Sequence, residues 1–184
     1  MTIDPGSRVG LLGGSFNPIH IGHIHVAQQV RNQVGLQEVW FIPTGNHPQR
    51  DSKYSKLRMK ILKETLKVNE RFRLIDYELK KKRKCYTYDT VCYLREKYPN
   101  IEFILIIGAD QAKEFETWYK HDKLMSSVRI VVVSRRGFKM PRRLHHWLTE
   151  IKVQNIDLSS TMIRELGEEV AEMKRGWIRK DESS

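Results

Sequence analysis

Val9-Gly-Leu-Leu-Gly-Gly-Ser-Phe-Asn-Pro-Ile-His-Ile-Gly-His-Ile-His25 is the stretch on which the fold of this chain turns. Val9 to Leu12 is a short apolar run and reads as a buried strand. It breaks at Gly13-Gly14, turns through Asn17-Pro18, and resumes with helical spacing at Ile24, Ala27, Val30 and Val34. Strand, glycine turn and helix form the first unit of a doubly wound α/β sheet. Such folds bind ligands at the carboxyl edge, where this turn lies. His20 and His23 are three apart at the helix start and share one face. That face meets the positive end of the helix dipole and its unpaired N–H groups, a setting that suits a phosphate.

Outward from that unit, strands and helices alternate to residue 156. Glu38 to Pro43 is a second strand. Thr44 to Ser55 is a polar loop, and Ser55 is placed to cap a helix from Lys56 whose apolar positions are Leu57, Ile61, Leu62 and Leu66. Phe72 to Asp76 reads as a strand, 80–84 as a basic loop, and Thr87 or Tyr88 opens a helix carrying Val91, Leu94 and Tyr98 inward. Ile101 to Ile107 is almost continuously apolar, as a central parallel strand should be, and runs into a second strand-end turn at Gly108-Ala-Asp110. Val128 to Val133 repeats the pattern. Pro141 suits the first turn of a helix reaching Leu148, Ile151 to Ile156 is a weaker strand, and Ser159-Ser-Thr161 is an N-cap cluster for a last helix from Met162. The expected architecture is a Rossmann-like, doubly wound parallel α/β sheet in a single domain spanning 1–184. Its core covers about residues 8–166, and a C-terminal helix and polar tail follow at 167–184.

Composition narrows the class. The chain has 184 residues, 40% hydrophobic and 30% charged, enough to bury a core. It contains no apolar run of membrane length and no signal-peptide pattern at its start. Cys85 and Cys92 match neither a disulfide framework nor zinc-ligand spacing, so the expected setting is the reducing cytoplasm. The net charge of +11 attracts polyanions, but the basic residues lack an aromatic-interleaved stripe. A solvated surface with a phosphate funnel is therefore expected, rather than a nucleic-acid footprint. Zinc at His20, His23 and His25 lacks local carboxylate or thiolate company. Structural histidines at a helix start remain the plain alternative to phosphate ligands. The turn is neither a Walker A loop nor a Gly-x-Gly-x-x-Gly fingerprint.

Gly-Gly-Ser-Phe-Asn-Pro-Ile-His-Ile-Gly-His at 13–23 resembles the first signature of the nucleotidyltransferase superfamily that includes class I aminoacyl-tRNA synthetases. Ile156-Asp-Leu-Ser-Ser-Thr-Met-Ile-Arg164 resembles its second. Three more stretches are similar to bacterial nicotinate mononucleotide adenylyltransferases: Pro43-Thr44 with the loop after it, Cys85-Tyr-Thr-Tyr-Asp-Thr90, and Gly108-Ala-Asp110 followed by Trp118-Tyr119. The resemblance runs in matching order from residue 9 to about 166. It implies transfer of AMP from ATP, with Mg2+, to nicotinate mononucleotide, releasing pyrophosphate. His20, His23 and Arg164 would then neutralise charge on the ATP phosphates. Gly13, Gly14, Ser15, Phe16, Gly22, Ser159, Ser160, Thr161 and Arg164 would hold ATP. On the mononucleotide side it implies backbone N–H groups of Thr87 and Tyr119 on the carboxylate, Trp118 stacked on the pyridine, Asp110 on a ribose hydroxyl, and Arg135 on the phosphate.

Two stretches depart from the family pattern. The loop reads Gly45-Asn-His-Pro-Gln-Arg50 where x-x-Pro-Pro-His-Lys is usual, so Arg50 stands in for a lysine and Gln49 for a histidine. Gly167 to Trp177 replaces the usual closing segment, which leaves open any homo-oligomer that depends on it. An amide or phosphopantetheine acceptor, and a non-catalytic nucleic-acid-binding module, are the competing readings.

Overall fold

Successive residues along the central strands point to opposite faces, and both faces are buried. Phe103, Leu105 and Ile107 join one apolar cluster and Ile104 and Ile106 the other. A sheet buried on both sides must be covered by helices on both sides, which is the layered arrangement seen. The computed structural model describes residues 4–45, 53–67, 69–81, 84–134, 140, 144 and 148–153. In chain order these form β1 (Arg8–Gly14), α1 (Ile21–Val34), β2 (Glu38–Pro43), α2 (Lys53–Leu66), β3 (Phe72–Leu74), α3 (Tyr77–Lys80), α4 (Thr87–Lys97) and β4 (Glu102–Gly108). They continue with α5 (Ala109–Lys113), a 3-10 turn (Phe115–Thr117), α6 (His121–Ser127), β5 (Arg129–Ser134) and β6 (Leu148–Lys152).

The six strands pair in the order β3-β2-β1-β4-β5-β6, every pair parallel. The expected Rossmann-like α/β sheet is thus observed. Ala27 and Val30 of α1 and Leu62 and Leu66 of α2 cover one face. Val91 and Leu94 of α4, Ala112, Phe115 and Leu124 of α6 cover the other. Gly35 ends α1 in the left-handed region at φ 70, where a side chain would be strained, and its N–H closes on the Arg31 carbonyl. At the amino end of β2, Trp40 is fully buried and its indole N–H donates to Glu38 at 2.6 Å; Arg73 from β3 completes the pair at 3.1 Å.

Several boundaries differ from the sequence expectation. Helix α2 starts at Lys53, so Ser55 lies inside it rather than capping it. Its inward stripe is Arg58, Leu62 and Leu66, whereas Leu57 and Ile61 are exposed. The i, i+4 spacing is the same for both stripes, and the sheet chose the one nearer the glycine turn. Strand β3 stops at Leu74 after three paired residues, and Tyr77–Lys80 is a helical turn, not a strand continuing to Asp76. The last described strand begins at Leu148, where pairing with β5 starts, not at Ile151, and so Leu148 ends no helix. Helices α5 and α6 follow β4; both are short and carry few periodic apolar positions. The helix expected from Pro141, the Ser159–Thr161 cap and the helix from Met162 lie outside the described residues apart from Leu144 and Leu148.

No helix among the described residues is long and apolar enough to cross a membrane. The two faces of α2 offer a direct check. Leu62→Ala should cost about 2–5 kcal/mol, while Leu57→Ala, on the exposed face, should stay within about 0.5 kcal/mol, read from urea midpoints at unchanged m.

Candidate active site

Strand β1 is the point where the winding of the sheet reverses: β2 and β3 lie to one side of it, β4 to β6 to the other. Neighbouring connections leave in opposite directions there, which opens a crevice beyond the carboxyl ends of β1 and β4. Gly13 and Gly14 end β1 in that crevice, and a Cβ at Gly13 would meet nothing within 4 Å. The Gly14 carbonyl accepts from the Thr44 N–H at 3.0 Å, tying the turn to the end of β2. Phe16 follows in the left-handed region at φ 43, uncommon for a bulky residue, and is 1% exposed. From beneath, Arg58 of α2 donates to the Ser15 carbonyl at 2.9 Å. Arg58 is buried, and that burial draws its pKa below the ordinary guanidinium value.

On the α1 side of the turn stand the two imidazoles. His20 is the N-cap of α1: its Nδ1 accepts from the Gly22 N–H at 3.1 Å. His23 reaches back, its Nδ1 accepting from the His20 N–H at 3.3 Å. The rings lie 3.9 Å apart, and Phe16 meets His23 edge-on at 5.1 Å. With each Nδ1 accepting, the proton of each neutral ring is on Nε2. Two N–H donors are thus held side by side at the positive end of a 14-residue helix.

The α4 side is a different environment. A cleft of about 500 Å³ opens there, lined by Gly13, Gly14, Ser15, Thr87, Trp118 and Tyr119 among others. Thr87 is the first residue of α4, and the Tyr86 N–H before it is held by Asp89 at 3.2 Å. Trp118 packs on Phe115 at 5.4 Å. Tyr119 leans on Tyr86 at 4.6 Å, with Lys84 over Tyr86 and Lys120 over both Tyr88 and Tyr119, each at 4.9 Å. The mouth is therefore aromatic and flanked by ammonium groups, fit for a flat anionic molecule.

Glu78 of α3 forms the floor between these walls and is 9% exposed. Its Oε1 accepts from the Thr90 hydroxyl of α4 at 2.8 Å, and its Oε2 from the Gly45 N–H at 3.4 Å. Burial pushes its carboxyl above the ordinary range, against the pull of those two donors. The Cys85 thiol, 3.7 Å from the Thr90 hydroxyl, is also pushed up by burial and stays protonated at neutral pH. Gly45 cannot be anything else: a Cβ would stand 2.2 Å from the Glu78 carbonyl oxygen.

The structure brings together Gly13, Gly14, Ser15, Thr87, Trp118 and Tyr119 around one cleft and sets Phe16, His20, Gly22 and His23 across the turn. Asp110, the second residue of α5, is exposed at the same edge but does not line the cleft; its neighbour Gln111 does, and caps the helix by accepting the Gly108 N–H at 3.0 Å. Arg50, Arg135, Ser159, Ser160, Thr161 and Arg164 lie outside the described residues. Among the described residues no three His, Cys, Asp or Glu side chains are grouped to hold a metal. Sequence reading missed Arg58 and Glu78. Arg58 had a signal, a charged residue in the stripe of Leu62 and Leu66. Glu78 had none, because α3 is a single turn with no periodicity to read.

The sequence profile of the cytidylyltransferase-like family matches residues 11–166. A probable nicotinate-nucleotide adenylyltransferase of Lactiplantibacillus plantarum is 38% identical over 168 residues, covering 90% of this chain and 79% of that protein. The nicotinate-nucleotide adenylyltransferase of Bacillus subtilis is 37% identical over 161 residues, covering 86% and 84%. Among solved structures, the nicotinic acid mononucleotide adenylyltransferase of Plasmodium falciparum complexed with NaAD is similar with a TM-score of 0.69 at 19% identity, over 86% of this chain and 83% of that one. At that identity the likeness is one of fold.

Glu78 makes stability depend on pH in a definite direction. Its carboxyl binds a proton more tightly folded than unfolded, so it favours folding at low pH and loses that contribution as pH rises above the ordinary 4.5 and through the folded value. Between about pH 5 and about pH 8 the wild-type urea midpoint should fall relative to that of Glu78→Gln. A gap that does not change with pH would remove the buried charge as its cause.

Proposed function

The chain belongs to the cytidylyltransferase-like family, among the nicotinate-nucleotide adenylyltransferases, and from that premise we propose how it moves AMP from ATP onto nicotinate mononucleotide to give nicotinate adenine dinucleotide and pyrophosphate. The observation that carries this reading is the division of the switch-point crevice into two unlike halves by the turn at residues 13–16. Paired imidazoles at a helix N-terminus occupy one half, and an aromatic cleft at the start of α4 occupies the other.

In this reading the triphosphate of MgATP lies along the N-terminus of α1, and the ion arrives on its phosphates. The pyridine enters the cleft, with its ring on Trp118 and its carboxylate on the N–H groups of Thr87 and Tyr119. An oxygen of the mononucleotide phosphate then attacks the α-phosphorus from the side opposite the α–β bridge. The new P–O bond forms as the bridging bond breaks, and the bonding pair leaves on pyrophosphate. No protein nucleophile is required. The residues supply position and charge: Nε2–H of His20 and His23 donates to phosphate oxygens, and Arg164 with Ser159, Ser160 and Thr161 binds the β- and γ-phosphates. Asp110, Arg50 and Arg135 complete the mononucleotide contacts. The half-buried reduced thiols Cys85 and Cys92 agree with a cytoplasmic setting.

Pyrophosphate release from ATP, magnesium and nicotinate mononucleotide tests the reaction. His20→Ala and His23→Ala should each lower kcat about a hundredfold, the scale of losing one preorganised donor; an unchanged rate would exclude that residue. Nicotinamide mononucleotide, which lacks the carboxylate, should be the poorer acceptor in kcat/KM, and a preference for the amide would overturn the carboxylate contacts. Tight, salt-steep binding to RNA without pyrophosphate release would instead favour a nucleic-acid module.

A further inference from the structure

Glu78 is bonded to the segments on both sides of the cleft floor. Each carboxylate oxygen has its own task. Oε1 takes the Thr90 hydroxyl, one helical turn along α4 from Thr87; Oε2 takes the N–H of Gly45, two residues beyond the end of β2. The spacing is closed from a third direction, because the Glu78 backbone carbonyl fills the space where a Gly45 side chain would stand. Thr44, the neighbour of Gly45, is bonded in turn to the Gly14 carbonyl. Loop root, α3 and α4 are therefore clamped through one carboxylate, while the α1 half of the crevice is held independently by its own capping bonds.

We propose that Glu78 is a positioning residue for the mononucleotide half of the site, setting the distance between the root of the loop after β2 and the start of α4. The inference rests on the adenylyltransferase reading. Because the clamp sits on one side of the turn only, its loss should be felt by one substrate and not by the other. A merely structural carboxylate would weaken both together.

The experiment pairs steady-state kinetics in each substrate with calorimetric binding of nicotinate mononucleotide in the absence of ATP. Glu78→Ala should raise the KM and Kd for the mononucleotide about tenfold, the scale of losing one to two buried hydrogen bonds. The KM for ATP should not change, and kcat should fall much less than the mononucleotide KM rises. Glu78→Gln keeps an acceptor for the Gly45 N–H and an amide that donates to the Thr90 hydroxyl, so it should restore most of the affinity. Equal rises in both KM values, or an unchanged mononucleotide Kd, would overturn the assignment. If Glu78→Ala does not fold, Thr90→Val removes one arm of the clamp alone; it should raise the same Kd, and no rise there overturns the proposal. Wild-type protein that releases no pyrophosphate would sink the adenylyltransferase reading. Active wild-type protein whose variants show no split would sink the clamp alone.

Discussion

Everything in this structure depends on β1 having a parallel partner on each side. A strand so placed is buried on both faces, and Val9, Leu11 and Leu12 meet that demand. The same placement makes it the strand beyond which the helices part, so whatever follows its last residue lies in the crevice. A glycine pair there keeps the crevice open and lets backbone, rather than side chain, face a ligand. The imidazoles, the aromatic cleft and the buried carboxylate are all built against that short exit.

The two halves of the crevice use different physics. The α1 half presents fixed partial charges, with donors oriented by capping bonds that belong to the helix itself. The α4 half presents flat polarisable surface and a rim of ammonium groups held over tyrosine rings. One suits a flexible polyphosphate, the other a rigid planar ring. A short turn, residues 13–16, is all that separates the two halves.

The fold was readable because its main signals are strong and local. The apolar runs of β2, β4 and β5, the glycine breaks and the helical spacing of α1 and α4 agree with one another, and each led to the element observed. In two of the differences a tertiary contact decided what local pattern left open. Leu57 and Leu62 belong to stripes of the same spacing, and only the position of the sheet separates them. The start of β6 at Leu148 is set by pairing with β5, which no local pattern announces. In the site, the signature turn and the Trp118-Tyr119 pair were legible as motifs, whereas Glu78 and Arg58 act through partners 12 and 43 residues away. At the end of β4 the bond that ties the turn comes from Gln111, which accepts the Gly108 N–H.

Arg58 has a consequence of its own. It sits under the signature turn with its guanidinium on the Ser15 carbonyl, and although burial lowers its pKa, a guanidinium does not give up its proton in a protein. That cation keeps its charge whatever the pH of the medium. The α1 half of the crevice therefore retains a permanent attraction for anions, sheltered from salt because it lies in the interior.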